Sequence, residues 1–94
     1  MDKDKMTNKT IEQLTILMNN FVRSKGWYEE DSKRPQTPRN LAISLNLEVS
    51  EILEHFQWNE EFVKENLAEE LADVALYLLQ LADVAEIDLE KAIL

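Results

Sequence analysis

The 94-residue sequence contains no cysteine, a single glycine and only two prolines. The absence of cysteine excludes disulfides, zinc sites built on thiolates and thiol nucleophiles. Because glycine and proline are scarce, the chain has few positions for hairpin turns or helix breaks, while the helix-favouring residues Leu, Glu, Lys and Ala are abundant. The composition therefore predicts an all-α fold.

Basic residues are also scarce, since ten Lys and Arg face nineteen Asp and Glu and the formal net charge is −9. A surface that follows a nucleic-acid backbone needs clustered Lys and Arg, so we expect no nucleic-acid polymer as a partner. Long apolar runs are missing too, because the most hydrophobic stretch, VALYLLQLA, is interrupted by Gln80 and followed by Asp83. With an N-terminus too polar for a signal peptide, these features predict a cytoplasmic protein without a membrane partner.

The length suits one small domain, residues 1–94, whose hydrophobic content of 45% supports a single but thin core. We therefore expect the chain to form a homo-oligomer. Residues 1–9 are expected to be a flexible N-terminal extension. Asp88 fits the N-cap of a last helix, but the chain stops within two turns of it, which suggests a truncated C-terminal segment or an element completed elsewhere.

Two capping patterns locate the first two helices. Thr10 and Gln13 form a capping box before a helical apolar pattern, and Gly26 is a natural C-terminal stop. Thr37 and Pro38 fit the N-cap and first position of a second helix. The segment between these helices, residues 27–37, shows no sustained period and is predicted to be a loop that reaches over a site.

The second helix is expected to run to about Gln57, where Trp58 and Asn59 close it. Asn66, with Glu69 three residues later, is the expected start of a third helix that runs to about Glu86. The third helix is the most apolar of the three, so we expect it to be buried on several sides.

Two acidic pairs border the apolar faces of the second and third helices. At roughly 100° per residue, one arc of each helix is apolar and is expected to face the core. In the second helix this arc comprises Leu41, Leu45, Val49, Ile52, Leu53 and Phe56. In the third helix it comprises Leu67, Leu71, Val74, Leu78, Leu81 and Ala85. The pairs Glu48/Glu51 and Glu70/Asp73 lie on the stripe that adjoins each arc, whereas Glu54 points to solvent.

Carboxylates beside a core are costly unless they are protonated, paired with cations or bound to a metal. Two such pairs on neighbouring helices would bring four carboxylates together, and a hard divalent cation relieves their repulsion. Oxygen ligands with a single histidine, His55, favour Mg²⁺ or Mn²⁺ over zinc, and the Glu-x-x-His motif of di-iron bundles is missing. The alternative is a solvated acidic face, and the residues alone leave both interpretations open.

The run PRNLAISLNLEVSEILEHFQW, followed by LAEELADVALYLLQLA and IDLEKAI, closely resembles the MazG-like nucleotide pyrophosphohydrolases of the all-α NTP pyrophosphatase superfamily. The resemblance covers Pro38 to Leu94 and extends loosely to the first helix. It implies an antiparallel helical bundle that assembles as a homodimer or homotetramer. It also implies hydrolysis of nucleoside triphosphates to the monophosphate and pyrophosphate, in the clearance of non-standard or excess nucleotides.

By the same resemblance, the catalytic metal ligands for Mg²⁺, or Mn²⁺, are Glu48, Glu51, Glu70 and Asp73. The resemblance leaves open which of these, or Glu54, orients the attacking water.

Four substrate-binding residues are implied by the resemblance as well. Trp58 and Tyr77 match aromatic positions beside the base in dCTP-selective members, although either could instead be a core aromatic. Arg39 is expected to contact phosphate, and Asn40 either contacts substrate or bonds the start of its helix. Lys33 and Arg34 are weaker candidates, because exposed charges are usually solvated.

The chain departs from the family pattern at two places. Gln36 stands where many relatives carry a histidine, so base or sugar recognition should differ. The chain also ends at Leu94, before a basic phosphate-binding segment that relatives carry. Two other interpretations therefore remain open: a non-catalytic helical interaction module, and a nucleotide-binding regulatory module with a degenerate site.

Overall fold

A computed structural model describes residues 8–94. Its helices are α1 (Ile11–Ser24), α2 (Pro38–Glu54), α3 (Lys64–Val84) and α4 (Leu89–Ile93). Residues 8–94 contain no strand, which confirms the all-α prediction. Within the same range, every helix is too short or too polar to cross a membrane. The expected flexible extension falls, for residues 1–7, outside the described part of the chain.

Helix α1 begins and ends as predicted. The Thr10 hydroxyl accepts from the Gln13 backbone N–H at 3.1 Å, and the Gln13 side chain accepts from the Thr10 N–H at 2.9 Å. At the other end, Gly26 adopts φ +73°, which a residue with a Cβ rarely adopts. The Trp27 N–H then bonds to the Val22 carbonyl at 3.3 Å, the pattern of a Schellman stop. The chain thus turns back towards α2 along residues 27–37.

Helix α2 begins at Pro38 as predicted, because the Thr37 hydroxyl accepts from the Asn40 N–H at 3.2 Å. The predicted end at about Gln57 is wrong, since the helix ends at Glu54. The N–H groups of the next two residues bond three positions back instead of four, which tightens the last turn and stops the helix.

The predicted start of α3 at Asn66 is also wrong. The helix begins at Lys64, after Val63, whose side chain makes no capping hydrogen bond. The helix ends at Val84 rather than at Glu86, because Glu86 itself takes a left-handed φ of 59° and reverses the chain. Asp88 caps α4 as predicted, accepting from the Lys91 N–H at 3.1 Å.

Helix α3 lies at the centre and contacts both α1 and α2. A small core joins α1 to the second half of α3 through Met18, Val22 and Leu79. Leu41, near the start of α2, is 1% exposed. Helices α2 and α3 run antiparallel, so the start of one faces the end of the other.

The faces that α2 and α3 turn inwards match the predicted arcs only in part. Leu41, Leu45 and Ile52 on α2 are buried or half-buried as predicted, and so are Leu67, Val74 and Leu81 on α3. On α2, Val49 and Leu53 are exposed, whereas Glu48 is partly buried. On α3, Leu71 is exposed, whereas Glu70 is partly buried. On a helical wheel with 100° per residue, the centre of each packed face therefore lies roughly 60° from the centre of the predicted apolar arc, on the side of the acids. Helix α3 is buried on two sides, against α1 and α2, but one apolar flank of it faces outwards.

The rotation leaves an exposed apolar surface beside the helix pair, which we call the apolar seam. It consists of Val49 and Leu53 on α2, Phe56 just after that helix, and Leu71 and Leu78 on α3. Both rotations have the same sense, and in an antiparallel pair this puts the two flanks on one side. The acids occupy the space between the helices that the apolar arcs were expected to fill.

Candidate functional site

Three carboxylates meet between α2 and α3. Glu48 and Glu51 are one turn apart on α2, and Glu70 lies opposite them on α3. Each offers one oxygen, and these oxygens all lie within 4.8 Å of one another. The antiparallel packing of two acid-bearing faces thus brings together residues that are about twenty positions apart in the chain.

Asp73 lies beside this group, one turn after Glu70 on α3. Its charge raises the pKa of both Glu48 and Glu70, so it is close to both carboxylates. It is not one of the three whose oxygens meet within 4.8 Å. The structure therefore gathers all four predicted ligands on one interface, three of them tightly and the fourth at the side. We call these four residues the acidic cluster.

Two oxygens of the acidic cluster lack partners. Glu48 Oε2 and Glu70 Oε2 are buried and have no hydrogen-bond partner within residues 8–94. A buried carboxylate oxygen without a partner carries a desolvation cost that native structures rarely leave uncompensated. A cation bound between the two helices would supply that partner.

The electrostatics of the acidic cluster favour the same conclusion. Burial is the main cause that raises the pKa of the Glu48 carboxyl, followed by the charges of Glu51 and Asp73. The pKa of Glu70 is raised chiefly by the neighbouring Glu51 carboxyl and then by burial. His55 acts in the opposite direction on Glu70, its Nε2 lying 3.8 Å from Glu70 Oε1. The acidic cluster is therefore short of positive charge.

A cavity of about 560 Å³ opens beside Glu48 and Asp73. That volume falls within the range of small-molecule sites. Its apolar wall is formed by Met18, Phe21, Val22, Trp27 and Leu76. Its polar lining includes Lys33, Arg34, Gln36, Asn40, Ser44, Tyr77 and Gln80. The predicted loop, residues 27–37, supplies the outer wall and its two cations.

The predicted substrate-binding residues divide into two groups. Tyr77 and Asn40 line the cavity, and the Asn40 side chain also donates to the Pro35 carbonyl at 3.0 Å, which ties the loop to the start of α2. Arg39 and Trp58 do not line it, and Trp58 is 86% exposed, four residues beyond the end of α2. The structure therefore brings Tyr77 and Asn40 to the acidic cluster and leaves the other two outside.

Sequence reasoning missed Gln80, which is 4% exposed and lines the cavity. One signal could have found it: Gln80 interrupts an apolar run and lies seven residues, almost two full turns, after Asp73. It therefore falls on the same face of α3 as Asp73 and Tyr77. Trp27 and Phe21, whose rings pack edge to face with centroids 5.9 Å apart, were also not identified as cavity residues.

Comparison with known proteins identifies relatives of this chain. The model of the MazG-like family matches residues 43–94. Rat dCTP pyrophosphatase 1 is 34% identical over 95 aligned positions, which cover 90% of this chain and 53% of that protein. Human dCTP pyrophosphatase 1 is 33% identical over the same shares. The chain thus spans about half the length of these curated relatives.

A solved structure is similar over most of its length. The crystal structure of a pyrophosphatase from Archaeoglobus fulgidus superposes with a TM-score of 0.75 at 39% identity. The match covers 88% of this chain and 81% of the archaeal one. Fold and sequence therefore agree on one family.

Proposed function

This chain belongs to the MazG-like family, and we propose that it is a nucleotide pyrophosphohydrolase that cleaves a nucleoside triphosphate to the monophosphate and pyrophosphate. The observation that carries the proposal is the pair of buried, unpartnered carboxylate oxygens beside a cavity of nucleotide size. The names of the mammalian relatives add deoxynucleoside triphosphates to the candidate substrates. Clearance of excess or non-standard nucleotides is the role that such an activity would serve.

We propose that Glu48, Glu51, Glu70 and Asp73 hold Mg²⁺, or Mn²⁺, in this site. The donors are all carboxylate oxygens, which suit these hard cations better than zinc. Such an ion, when bound, polarises phosphoryl oxygens, offsets the charge of the leaving group and lowers the pKa of a bound water. The burial of Glu48 and Glu70 fits this assignment, because a cation would satisfy both orphaned oxygens.

The remaining residues of the cavity orient the substrate in this proposal. Lys33 and Arg34 supply positive charge for phosphate oxygens that no metal holds. Tyr77, one turn beyond Asp73, offers its ring to the nucleoside. Asn40 holds the loop against the start of α2 through its hydrogen bond to the Pro35 carbonyl. Glu54 is exposed and is not among the carboxylates that meet between α2 and α3, so we assign the orientation of the attacking water to the acidic cluster.

Substitution of the α3 acids tests the proposal. We expect Glu70→Gln and Asp73→Asn each to lower Mg²⁺-dependent pyrophosphate release from a panel of deoxynucleoside triphosphates at least about 100-fold, because loss of supporting groups around a metal alone costs up to that much. Glu69→Gln, on the solvent face of the same helix, is the matched control. Circular dichroism should show the same helix content in all variants. Undiminished hydrolysis by Glu70→Gln would sink the proposal.

A non-catalytic interaction module is the competing function, and the apolar seam is the observation that favours it. Titration calorimetry separates the two. A pyrophosphohydrolase should bind Mg²⁺ and a non-hydrolysable triphosphate in a coupled manner, whereas a pure interaction module should not. A nucleotide-binding regulator would show coupled binding without turnover.

A further inference from the structure

Gln80 is the most buried polar side chain of the cavity. Its amide nitrogen donates to the side-chain oxygen of Gln36 at 2.8 Å, which joins α3 to the loop. The amide nitrogen of Gln36 in turn donates to the Arg34 carbonyl at 2.6 Å. A backbone carbonyl can only accept, so Gln36 must turn its oxygen towards Gln80.

The other neighbour of Gln80 is also held in one orientation. Asn19 donates from Nδ2 to the Asp83 carboxylate at 2.9 Å, so its oxygen is free to accept the Tyr28 hydroxyl proton at 2.6 Å. Burial raises the pKa of the Tyr28 hydroxyl, and the nearby Gln80 side chain partly offsets that rise. Tyr28 donates its only hydroxyl proton to Asn19, so it can only accept a hydrogen bond from Gln80.

Two groups that can only accept, the Asp83 carboxylate and the Arg34 carbonyl, thus fix the orientation of Asn19 and of Gln36. Both neighbours of the Gln80 nitrogen are acceptors, and a flipped amide would set oxygen against oxygen at Gln36. The carbonyl oxygen of Gln80 receives no donor from residues 8–94. The Gln80 side chain is 4% exposed and lines the cavity, so this oxygen is open to the cavity as an acceptor without a protein donor.

The position of Gln80 suits contact with a nucleobase. It lies on the same face of α3 as Asp73 and about 10 Å further along the axis, at 1.5 Å per residue. Tyr77 lies between them, and Trp27 and Phe21 provide apolar walls of the same cavity. A nucleotide whose phosphates meet the acidic cluster would therefore extend its base towards Gln80.

We propose that Gln80 determines base specificity: its carbonyl oxygen accepts a hydrogen bond from the exocyclic amino group of the base, with Gln36 and Tyr28 as positioning residues. The inference rests on the proposed function of the cavity. Cytosine and adenine carry that amino donor, whereas uracil and thymine present a carbonyl oxygen in its place and would set acceptor against acceptor. A buried acceptor that loses its donor is penalised more than an ordinary hydrogen bond is worth.

The test compares kcat/KM for dCTP and dUTP, which differ at this amino group. We expect the wild type to favour dCTP by about 10- to 100-fold, as one missing buried hydrogen bond would cause. Gln80→Leu, of similar size, should reduce the ratio to near one, mainly through a higher KM for dCTP. A wild-type ratio near one, or an unchanged ratio in Gln80→Leu, overturns the inference.

Two variants of Gln36 decide the point even if Gln80→Leu does not fold. Gln36→Leu removes the acceptor that orients Gln80. The Gln80 amide can then turn its nitrogen towards a keto base, and the ratio of kcat/KM for dCTP over dUTP should fall. Gln36→Glu keeps an acceptor towards Gln80, so the ratio should survive. Equal ratios in both variants overturn the positioning role. Absence of pyrophosphate release from every triphosphate tested would instead overturn the proposed function, and the inference with it.

Discussion

Glu48 lies where ionisation of its carboxyl is unfavourable. One of its oxygens is buried without a partner, and burial and its acidic neighbours raise its pKa above the ordinary 4.5. A carboxyl with a raised folded-state pKa stabilises the folded chain fully below its unfolded pKa, and this contribution is lost as pH rises through the folded value. In the absence of metal, the ionised site should therefore weaken the fold at neutral pH.

Replacing this charge by a neutral amide should stabilise the metal-free protein. We expect Glu48→Gln to unfold at a higher temperature than wild type in EDTA at pH 7 to 8, and the gap to shrink as pH falls towards 4.5. Thermal denaturation followed by circular dichroism over this pH range measures it. Added Mg²⁺ should stabilise the wild type and have little effect on the variant.

The matched control is Glu54→Gln, an acid on the solvent face of the same helix. It removes the same net charge without touching the acidic cluster, so its melting temperature in EDTA should stay close to that of wild type. If Glu54→Gln were as stabilising as Glu48→Gln, the effect would come from the overall charge of the protein and not from the acidic cluster.

Single residues differ in how far their position could be predicted. The acidic pairs have a local spacing, and two neighbouring helices are enough to bring them together. The orientation of Gln80 depends on a hydrogen-bond partner 44 positions away, and the nearby hydrogen bond between Asn19 and Asp83 spans 64 positions. Only the folded arrangement of donors and acceptors determines which atom of that amide faces the cavity.

At the scale of helices, the starts with a side-chain cap were predictable and the start without one was not. Thr10, Thr37 and Asp88 each accept a backbone N–H of the helix that follows. Val63 has extended backbone angles suitable for an N-cap but no side-chain acceptor, so α3 begins without a local signal.

A cap at Val63 should therefore stabilise the protein. We expect Val63→Ser to add about 1 kcal/mol, because its hydroxyl can accept from the first turn of α3. In a domain of this size such a gain raises the melting temperature by about 4 to 8 °C. Val63→Ala is the control, since it removes the same methyl groups without providing an acceptor. Equal melting temperatures for the two variants would contradict the capping argument.

The rotation of α2 and α3 has a physical cause that periodicity does not detect. A helical wheel turns apolar residues inwards and acids outwards. Here the inner position of Glu48 and Glu70 displaces Val49, Leu53 and Leu71 to the surface. Where the two helices meet, acids take inner positions that the apolar pattern assigns to apolar residues, and this is also where the candidate site lies.

At the scale of the whole molecule, the apolar seam exposes five large apolar side chains beside the acidic cluster. Contiguous exposed apolar residues usually mark an interaction surface. We expect it to be covered by a second copy, in a homodimer or homotetramer, with residues 1–94 acting as one domain in each copy. Leu53, 70% exposed, lies in the part of the seam that α2 contributes.

A charge in the apolar seam should disrupt this assembly. We expect Leu53→Glu to lower the molecular mass measured by light scattering after size-exclusion chromatography from that of an oligomer to that of one chain. Leu94→Glu is the control, because Leu94 is equally apolar and 95% exposed but lies at the C-terminal end of the chain. A wild type that is monomeric at micromolar concentration would contradict the expectation.

The cavity also has an electrical polarity. Glu48 and Asp73 line it on one side, and Lys33 and Arg34 belong to the loop that forms its outer wall. A triphosphate without a counter-ion meets repulsion from the acids and from a chain of net charge −9, so its encounter rate should rise as salt shortens the Debye length. A triphosphate that arrives already carrying its metal has less charge to be repelled. Diffusional encounter would then select the metal complex before any bond is broken.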